Sequence, residues 1–180
     1  MNFNFDPATV CSCGKKHTTA VEHVTIEAGA INAIPGYAKS YGAKKAFIIG
    51  DINTYPLAGD KISAMLEAEG ISCSKYVFKE RRLEPDEKAV GSLVLHYDAN
   101  SDIIISIGSG VINDISKILA YQTKTPYVIV ASAAFMDGYA AGSSSMAIDG
   151  VKVTANGHQI VFPLNFSRYF NSGHTAYAGV

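Results

Sequence analysis

The chain has 180 residues, with 15 Lys and Arg against 16 Asp and Glu, and 48% of its residues are hydrophobic. This composition is typical of a globular protein, for which a single domain is the default at this length. The near-zero net charge argues against a nucleic-acid-binding surface, and no apolar run reaches the ~20 residues of a membrane helix. With no visible secretory signal and an odd number of Cys, we expect a soluble cytoplasmic protein without a disulfide framework.

Short apolar segments alternate with longer amphipathic ones over the first 130 residues. Most of the short segments are rich in Val and Ile and lack a clean polar alternation, which predicts strands buried on both faces. These strands are predicted at 23–27, 45–49, 102–107 and 127–130, with a weaker one at 73–78. Helical spacing predicts helices at 31–41, 57–69, 87–97 and 111–122. Pro35 and Gly36 should kink the first helix or delay its start. Strands alternating with helices predict right-handed βαβ units and an α/β fold with a parallel sheet.

The pattern changes after Ala131. Residues 132–145 are dominated by Ala, Ser and Gly, whose side chains are small for a core element. Asp149-Gly150 then separates two short segments, 145–148 and 151–154, and this pairing predicts a β-hairpin. From Asn156 onward no periodicity is visible.

The stretch Gly108-Ser109-Gly110 follows a predicted buried strand and opens a predicted helix. Glycines allow a ligand to approach the backbone closely, and a helix N-terminus offers free N–H groups to a phosphate. The alternative is a tight turn between strand and helix with nothing bound. The full Gly-x-Gly-x-x-Gly fingerprint and a P-loop are both absent from the sequence.

Two carboxylates follow other predicted strand ends, where ligands bind in open α/β sheets. Asp51 follows the strand at 45–49 and is able to accept hydrogen bonds from both ribose hydroxyls of an adenosine. Its charge would repel a 2′-phosphate and so favours NAD over NADP. The alternative is that Asp51 caps the next helix or turn. Asp137, beside Gly138, is the carboxylate best placed for a polar substrate, although an Asp beside Gly is more often a turn residue.

Cys11, Cys13 and His17 are spaced closely enough to belong to a zinc site. A structural zinc site usually has four ligands, and no second ligand pair is evident in the sequence. Free thiols on an N-terminal turn are therefore the simpler interpretation.

With these motifs in place, the sequence resembles the sn-glycerol-1-phosphate dehydrogenase group within the superfamily of iron-containing alcohol dehydrogenases, glycerol dehydrogenases and dehydroquinate synthases. Residues 50–55 are similar to its Asp-x-Asn-Thr adenosine-side motif, and residues 107–114 to its pyrophosphate loop. Residues 132–140 resemble the segment Pro-Thr-Ala-Pro-Ser-Met-Asp-Gly-Tyr-Ala-Ser, with Ala134 and Phe135 departing from it. Residues 149–154 resemble the hairpin that follows.

The resemblance implies a role for each matching residue. Asp51 would bind the adenosine ribose, and Asp137 would contact the substrate. The residues implied in cradling the pyrophosphate are Gly108, Gly110, Val111, Ile112, Asn113 and Asp114. Those implied in lining the cofactor site are Ser132, Ala133, Ala134 and Phe135. The implied reaction is the reversible, NAD(P)H-dependent reduction of dihydroxyacetone phosphate, a small-molecule phosphate substrate, with a divalent metal polarising the carbonyl.

The resemblance also implies a domain organisation. Residues 1–155 would form a Rossmann-like nucleotide-binding domain with flanking helices and a β-hairpin, and residues 156–180 an irregular tail, for which a disrupted reading frame is one hypothesis. The family's all-helical second domain supplies the ligands for zinc, nickel or iron, and its motifs are missing from this sequence. We therefore expect no metal site and a cofactor-binding half that is inactive alone. A glycerol dehydrogenase, a dehydroquinate synthase-like enzyme and a non-catalytic nucleotide-binding module remain alternatives, and a homo-oligomer stays open.

Overall fold

The computed structural model describes residues 12–14, 21–134, 136 and 138–156. A 3-10 turn at Ala30–Ala33 precedes the regular elements. In chain order these are α1 (Ile34–Ser40), β1 (Lys45–Asp51), α2 (Tyr55–Ala68), β2 (Ser72–Phe78), α3 (Glu87–His96), β3 (Ile103–Gly108), α4 (Gly110–Thr123), β4 (Tyr127–Ala131), β5 (Ser143–Ile148) and β6 (Val151–Asn156). Among the described residues, no helix combines the length and apolar character needed to cross a bilayer.

Strands β1 to β4 form one parallel sheet in the order β2-β1-β3-β4. The chain leaves β1 to build β2 on one side and later returns to build β3 on the other side. The sheet therefore has a topological switch point between β1 and β3, and a crevice is expected at their carboxyl ends. This arrangement confirms the predicted parallel α/β sheet.

Both faces of the sheet are covered, because neighbouring residues of each central strand enter opposite cores. On one face, Ile48 and Ile105 pack with α1 and α2, whose core residues include Ile34 and Ile62. On the other face, residues of the same strands pack with α3 and α4; this second core includes Phe47, Ile49, Ile104, Leu93, Ile112, Ile115 and Leu119. All six residues of β3 are buried. The absence of a polar alternation in these strands follows from this two-sided burial.

The hairpin predicted around Asp149-Gly150 is present. Strands β5 and β6 pair antiparallel, with Ile148 opposite Val151. Asp149 and Gly150 have φ values of 50° and 75°, the positive values that a two-residue hairpin turn requires. The hairpin contacts the segment just before α3, where the N–H of Ala147 donates to the carbonyl of Pro85 at 2.8 Å.

Two predicted elements near the start of the chain are wrong in detail. Residues 23–27 form no strand, and the segment has only isolated bridge positions at Val24 and Thr25. Side-chain contacts hold this segment instead, since Val24 packs on the core beside α4 and Thr25 hydrogen-bonds Tyr37 at 2.6 Å. The helix predicted at 31–41 begins as the 3-10 turn, and its α-helical part starts only at Ile34, because Pro35 fits the first turn of a helix but not its interior.

Candidate functional site

Asp51 ends β1 and shapes the turn into α2. Its Oδ1 accepts hydrogen bonds from the backbone N–H groups of Asn53 at 2.7 Å and Thr54 at 2.9 Å. Its own N–H donates to Oγ1 of Thr54 at 3.1 Å. Asp51 is partly exposed, and no contact of the described residues engages its Oδ2. One carboxylate oxygen therefore holds the turn, as the capping interpretation predicts, while the other is available to a ligand.

Gly50 brings the start of α2 close to the end of β1. A Cβ at this position would lie 2.9 Å from the Cβ of Tyr55, the first residue of α2. Only glycine permits this approach without a shift of the helix. The position of Asp51 at the sheet edge therefore depends on its glycine neighbour.

The first turn of α4 is the second part of the site. Ser109 precedes the helix, but its side chain makes no capping hydrogen bond, and the first turn contains no acidic residue. The amides of Gly110, Val111 and Ile112 therefore lack a capping acceptor within the described part of the chain. Free N–H groups and the positive end of the helix dipole favour an anion at this point.

Asp51 and the α4 N-terminus lie at the same edge of the sheet, at the carboxyl ends of neighbouring strands. Strands β1 and β3 are paired as far as Ile49 and Ser106. Two residues further on, Asp51 and Gly108 leave the sheet on neighbouring strands. The structure thus brings Asp51 and the Gly108–Gly110 loop to the topological switch point, where ligands bind in this class of fold.

Ser132, Ala133, Ala134 and Met136 follow β4 and lie beside this loop. The N–H of Ser132 donates to the carbonyl of Gly108 at 2.8 Å, and the Tyr139 hydroxyl donates to the carbonyl of Ala133 at 2.7 Å. The Met136 sulfur lies 3.3 Å from the place that a Cβ on Gly110 would take, so its thioether lies beside the start of α4. Ala134 is exposed. Phe135 and Asp137, the predicted substrate contact, lie outside the described residues, and their roles stay predictions.

The side chains of Asn113 and Asp114 turn away from the α4 N-terminus. The Asn113 amide donates to the carbonyl of Gly138 at 3.4 Å, and its oxygen accepts from the Tyr127 hydroxyl at 3.3 Å. The Asp114 carboxylate accepts from the backbone N–H of Ser145. The N–H of Asn113 also donates within the helix, to the carbonyl of Ser109 at 2.9 Å. The role of these two residues in cradling a pyrophosphate stays a prediction.

Lys117 lies on α4 beside Asn113 and Asp114, and the sequence analysis did not predict a role for it. Its side chain has no solvent exposure, and its Nζ lies 3.3 Å from Oδ1 of Asp114. Burial lowers the pKa of Lys117 and raises that of Asp114, while their mutual attraction opposes both shifts. The sequence carries no local signal for this burial, because Lys117 lies one turn after Asp114 on the face of α4 opposite Ile112, Ile115 and Leu119, where a solvated ion pair is the ordinary expectation.

The proposed metal-binding interpretation of the N-terminal Cys residues gains nothing from the structure. Cys13 is exposed, and Cys11 and His17 lie outside the described residues. Within the described ranges, no group of three or more His, Cys, Asp or Glu is arranged to hold a metal ion. The part of the chain that the structure describes therefore does not fit the divalent metal that the resemblance implies.

Residues 25–166 match the family model described as iron-containing alcohol dehydrogenase. The chain belongs to the iron-containing alcohol dehydrogenase family. The match covers most of the chain, including the crevice residues at the ends of β1 and β3, and it agrees with the resemblance noted in the sequence.

Curated relatives in this family are named glycerol-1-phosphate dehydrogenase [NAD(P)+]. The one from Halalkalibacterium halodurans is 30% identical over 151 residues, which are 82% of this chain and 38% of the relative. The one from Bacillus licheniformis is 31% identical over 148 residues, 80% of this chain and 37% of the relative. The chain thus spans under two fifths of the length of these relatives.

Solved structures of the family share the fold. The glycerol dehydrogenase of Schizosaccharomyces pombe superposes with a TM-score of 0.67 at 21% identity, covering 78% of this chain and 36% of that one. The maleylacetate reductase of Rhizobium sp. strain MTP-10005 superposes with a TM-score of 0.66 at 18% identity, covering 81% of this chain and 42% of that one. At these identities the likeness shows the Rossmann-like fold alone.

Proposed function

We propose that this chain is the NAD(P)-binding half of a glycerol-1-phosphate dehydrogenase, which reduces dihydroxyacetone phosphate reversibly to sn-glycerol 1-phosphate. The observation that carries this proposal is the crevice at the switch point, where the Asp51 carboxylate lies one strand away from the uncapped first turn of α4. The names of the curated relatives support the choice of substrate.

The residues of the crevice fit a dinucleotide by their chemistry. Oδ2 of Asp51 would accept hydrogen bonds from the ribose hydroxyls, while Oδ1 keeps its bonds to the turn. The N–H groups of the first turn of α4 would donate to the pyrophosphate, and Ser132 to Ala134 would border the bound cofactor. When bound, the nicotinamide supplies the hydride that reduces the carbonyl.

We further propose that NADH binds more tightly than NADPH. The unpaired oxygen of Asp51 carries its share of negative charge where the ribose hydroxyls would lie. A 2′-phosphate at this position would face that charge, and like charges at short range are unfavourable.

The test measures NADH and NADPH binding to the full chain by nucleotide fluorescence. The informative variant is Asp51→Asn, because its amide oxygen still accepts the N–H bonds of Asn53 and Thr54 while the charge is removed. We expect NADH affinity to fall about tenfold, the loss of one charge-assisted hydrogen bond, and the preference for NADH over NADPH to shrink. Gly110→Val, which places a side chain at the start of α4, should weaken both nucleotides.

One result would overturn the proposed site, and another would overturn the expectation that the chain is inactive alone. Tight nucleotide binding that survives both Asp51→Asn and Gly110→Val would place the site elsewhere. Turnover of dihydroxyacetone phosphate by this chain with NADH and added zinc, nickel or iron would contradict the expectation that it is inactive alone. A longer version that reduced dihydroxyacetone better than its phosphate would instead favour a glycerol dehydrogenase.

A further inference from the structure

The buried Lys117 binds a segment of chain that is distant from it in sequence. Its Nζ donates to the carbonyl of Gly138 at 3.2 Å, to that of Ala141 at 3.4 Å, and also to that of Ser143. Together with Asp114, these groups surround the ammonium with four oxygens in a part of the molecule that solvent does not reach. Three carbonyls accepting from one donor fix the path of the backbone between 138 and 143.

The same segment is fixed to α4 by other side chains of that helix. The Asn113 amide shares the Gly138 carbonyl with Lys117, and the Asp114 carboxylate accepts from the N–H of Ser145. These residues lie within two turns of the uncapped N-terminus of α4. One helix therefore presents its first turn to the crevice and its following turns to residues 138–145.

Hydrogen bonds continue from this segment back to the crevice. Tyr139 is buried and donates to the carbonyl of Ala133, and the N–H of Ser132 donates to the carbonyl of Gly108. Residues 132–134 are thus held at one side by the end of β3 and at the other by a tyrosine whose neighbour, Gly138, is held by Lys117. The position of the crevice wall depends on both attachments.

Stability alone does not explain a lysine at this place. Removing a charge from water is costly, and apolar residues of similar volume often replace buried ion pairs without loss of stability. A methionine of similar length would fill the same space within the core. What it lacks is the set of N–H donors that binds the carbonyls of Gly138, Ala141 and Ser143.

We propose that Lys117 is a positioning residue, which holds residues 138–143 against α4 and thereby sets the wall of the nucleotide crevice at Ser132 to Ala134. This inference rests on the proposed function only for the identity of the ligand. The attachment of residues 138–143 to α4 is a property of the chain without nucleotide. The two claims are therefore open to separate measurements.

The first measurement is amide hydrogen exchange in the full chain without nucleotide. In Lys117→Met, we expect exchange at residues 138–145 to accelerate while exchange in β1 and α2 keeps its wild-type rate. The matched control is Leu66→Ala, which truncates a fully buried side chain near the end of α2 in the opposite core. This control should lower global stability without a selective effect on residues 138–145.

The second measurement is NADH binding to the same variants, at a temperature where each is folded. We expect Lys117→Met to weaken binding about tenfold, and Leu66→Ala to leave it within about twofold of wild type. Should Lys117→Met fail to fold, Asp114→Asn replaces it, since it removes the counter-charge while leaving Lys117 in place. This variant should also loosen residues 138–145 and weaken NADH binding.

The outcomes separate the two proposals. Selective loosening of residues 138–145 with tenfold weaker NADH binding supports both. Selective loosening in a chain whose wild type binds no nucleotide keeps the attachment but overturns the proposed function. Wild-type exchange at residues 138–145, or NADH binding that falls equally in Lys117→Met and Leu66→Ala, would overturn the positioning role.

Discussion

Gly108 and Gly110 are two residues apart, yet their surroundings differ. A Cβ on Gly108 would lie 2.5 Å from the Cβ of Ile112, a branched side chain fixed in the core of α4. A Cβ on Gly110 would lie 3.3 Å from the sulfur of Met136, near the end of a flexible side chain. The first glycine is needed for the packing of helix on strand, and the second leaves space at the start of the helix.

We expect the same substitution to have unequal effects at these two positions. Gly108→Ala should lower the free energy of unfolding by about 1–3 kcal/mol, because α4 must shift away from β3 to make room. Gly110→Ala should change it by less than about 1 kcal/mol, since Met136 is able to move and alanine favours the helix. Urea unfolding of both variants checks this expectation, and equal losses would contradict it.

At the scale of single residues, the sequence predicted which side chains lie near the site better than it predicted their hydrogen-bond partners. Asp51 and the glycine loop are visible because they follow strand ends, and the structure places them on neighbouring strands. The sequence left open whether Asp51 caps the turn or binds a ribose. In the structure, its Oδ1 caps the turn by accepting from the N–H groups of Asn53 and Thr54. Lys117 escaped notice because its partners are backbone carbonyls more than 20 residues away, which no local pattern encodes.

At the scale of elements, α2 and α3 each contain an interior glycine. The two glycines differ in the atoms that an added Cβ would contact. A Cβ on Gly59 in α2 would come within 2.5 Å of the ring of Tyr55, one turn earlier. A Cβ on Gly91 in α3 would meet nothing within 4 Å. Helix propensity favours alanine equally at both sites, so contacts decide the difference.

We expect opposite signs for alanine at these positions. Gly91→Ala should stabilise the protein by about 0.5–1 kcal/mol, because alanine loses less backbone entropy in a helix than glycine does. Gly59→Ala should destabilise it by about 1–3 kcal/mol, since the Tyr55 ring must leave its place in the core. Thermal unfolding of both variants provides the check, and a stabilised Gly59→Ala would refute the contact argument.

The strands and the hairpin were predicted correctly where the sequence carries a local signal for burial or for a turn. The four strands of the sheet and the Asp149-Gly150 hairpin were predicted because each leaves a local signature, two-sided apolar runs and a positive-φ turn. Residues 23–27 carry a similar apolar pattern without forming a strand. Val24 packs onto a core formed by distant helices, and such packing has no sequence period that distinguishes it from a strand.

At the scale of the whole molecule, the core on the α4 side contains two buried tyrosines with hydrogen-bonded hydroxyls. Tyr127 lies in β4 and donates to the Asn113 oxygen, and Tyr139 donates to the carbonyl of Ala133. Burial raises the pKa of both phenols, that of Tyr139 from 10.0 to about 12. Global stability is therefore linked to pH through side chains in the part of the core next to the crevice.

The sign of this linkage is fixed by the raised pKa. A tyrosine is neutral below its pKa, and the folded state holds the proton of Tyr139 more tightly than the unfolded chain does. Its contribution to stability is complete below pH 10 and decreases as the pH rises from about 10 towards 12. We expect Tyr139→Phe to cost about 1 kcal/mol at pH 8, where the hydroxyl bond to Ala133 is lost, and progressively less at higher pH. Urea unfolding of wild type and variant between pH 8 and pH 11 measures this difference, and a difference that stays constant over that range would show that the Tyr139 phenol ionises no less readily in the fold than outside it.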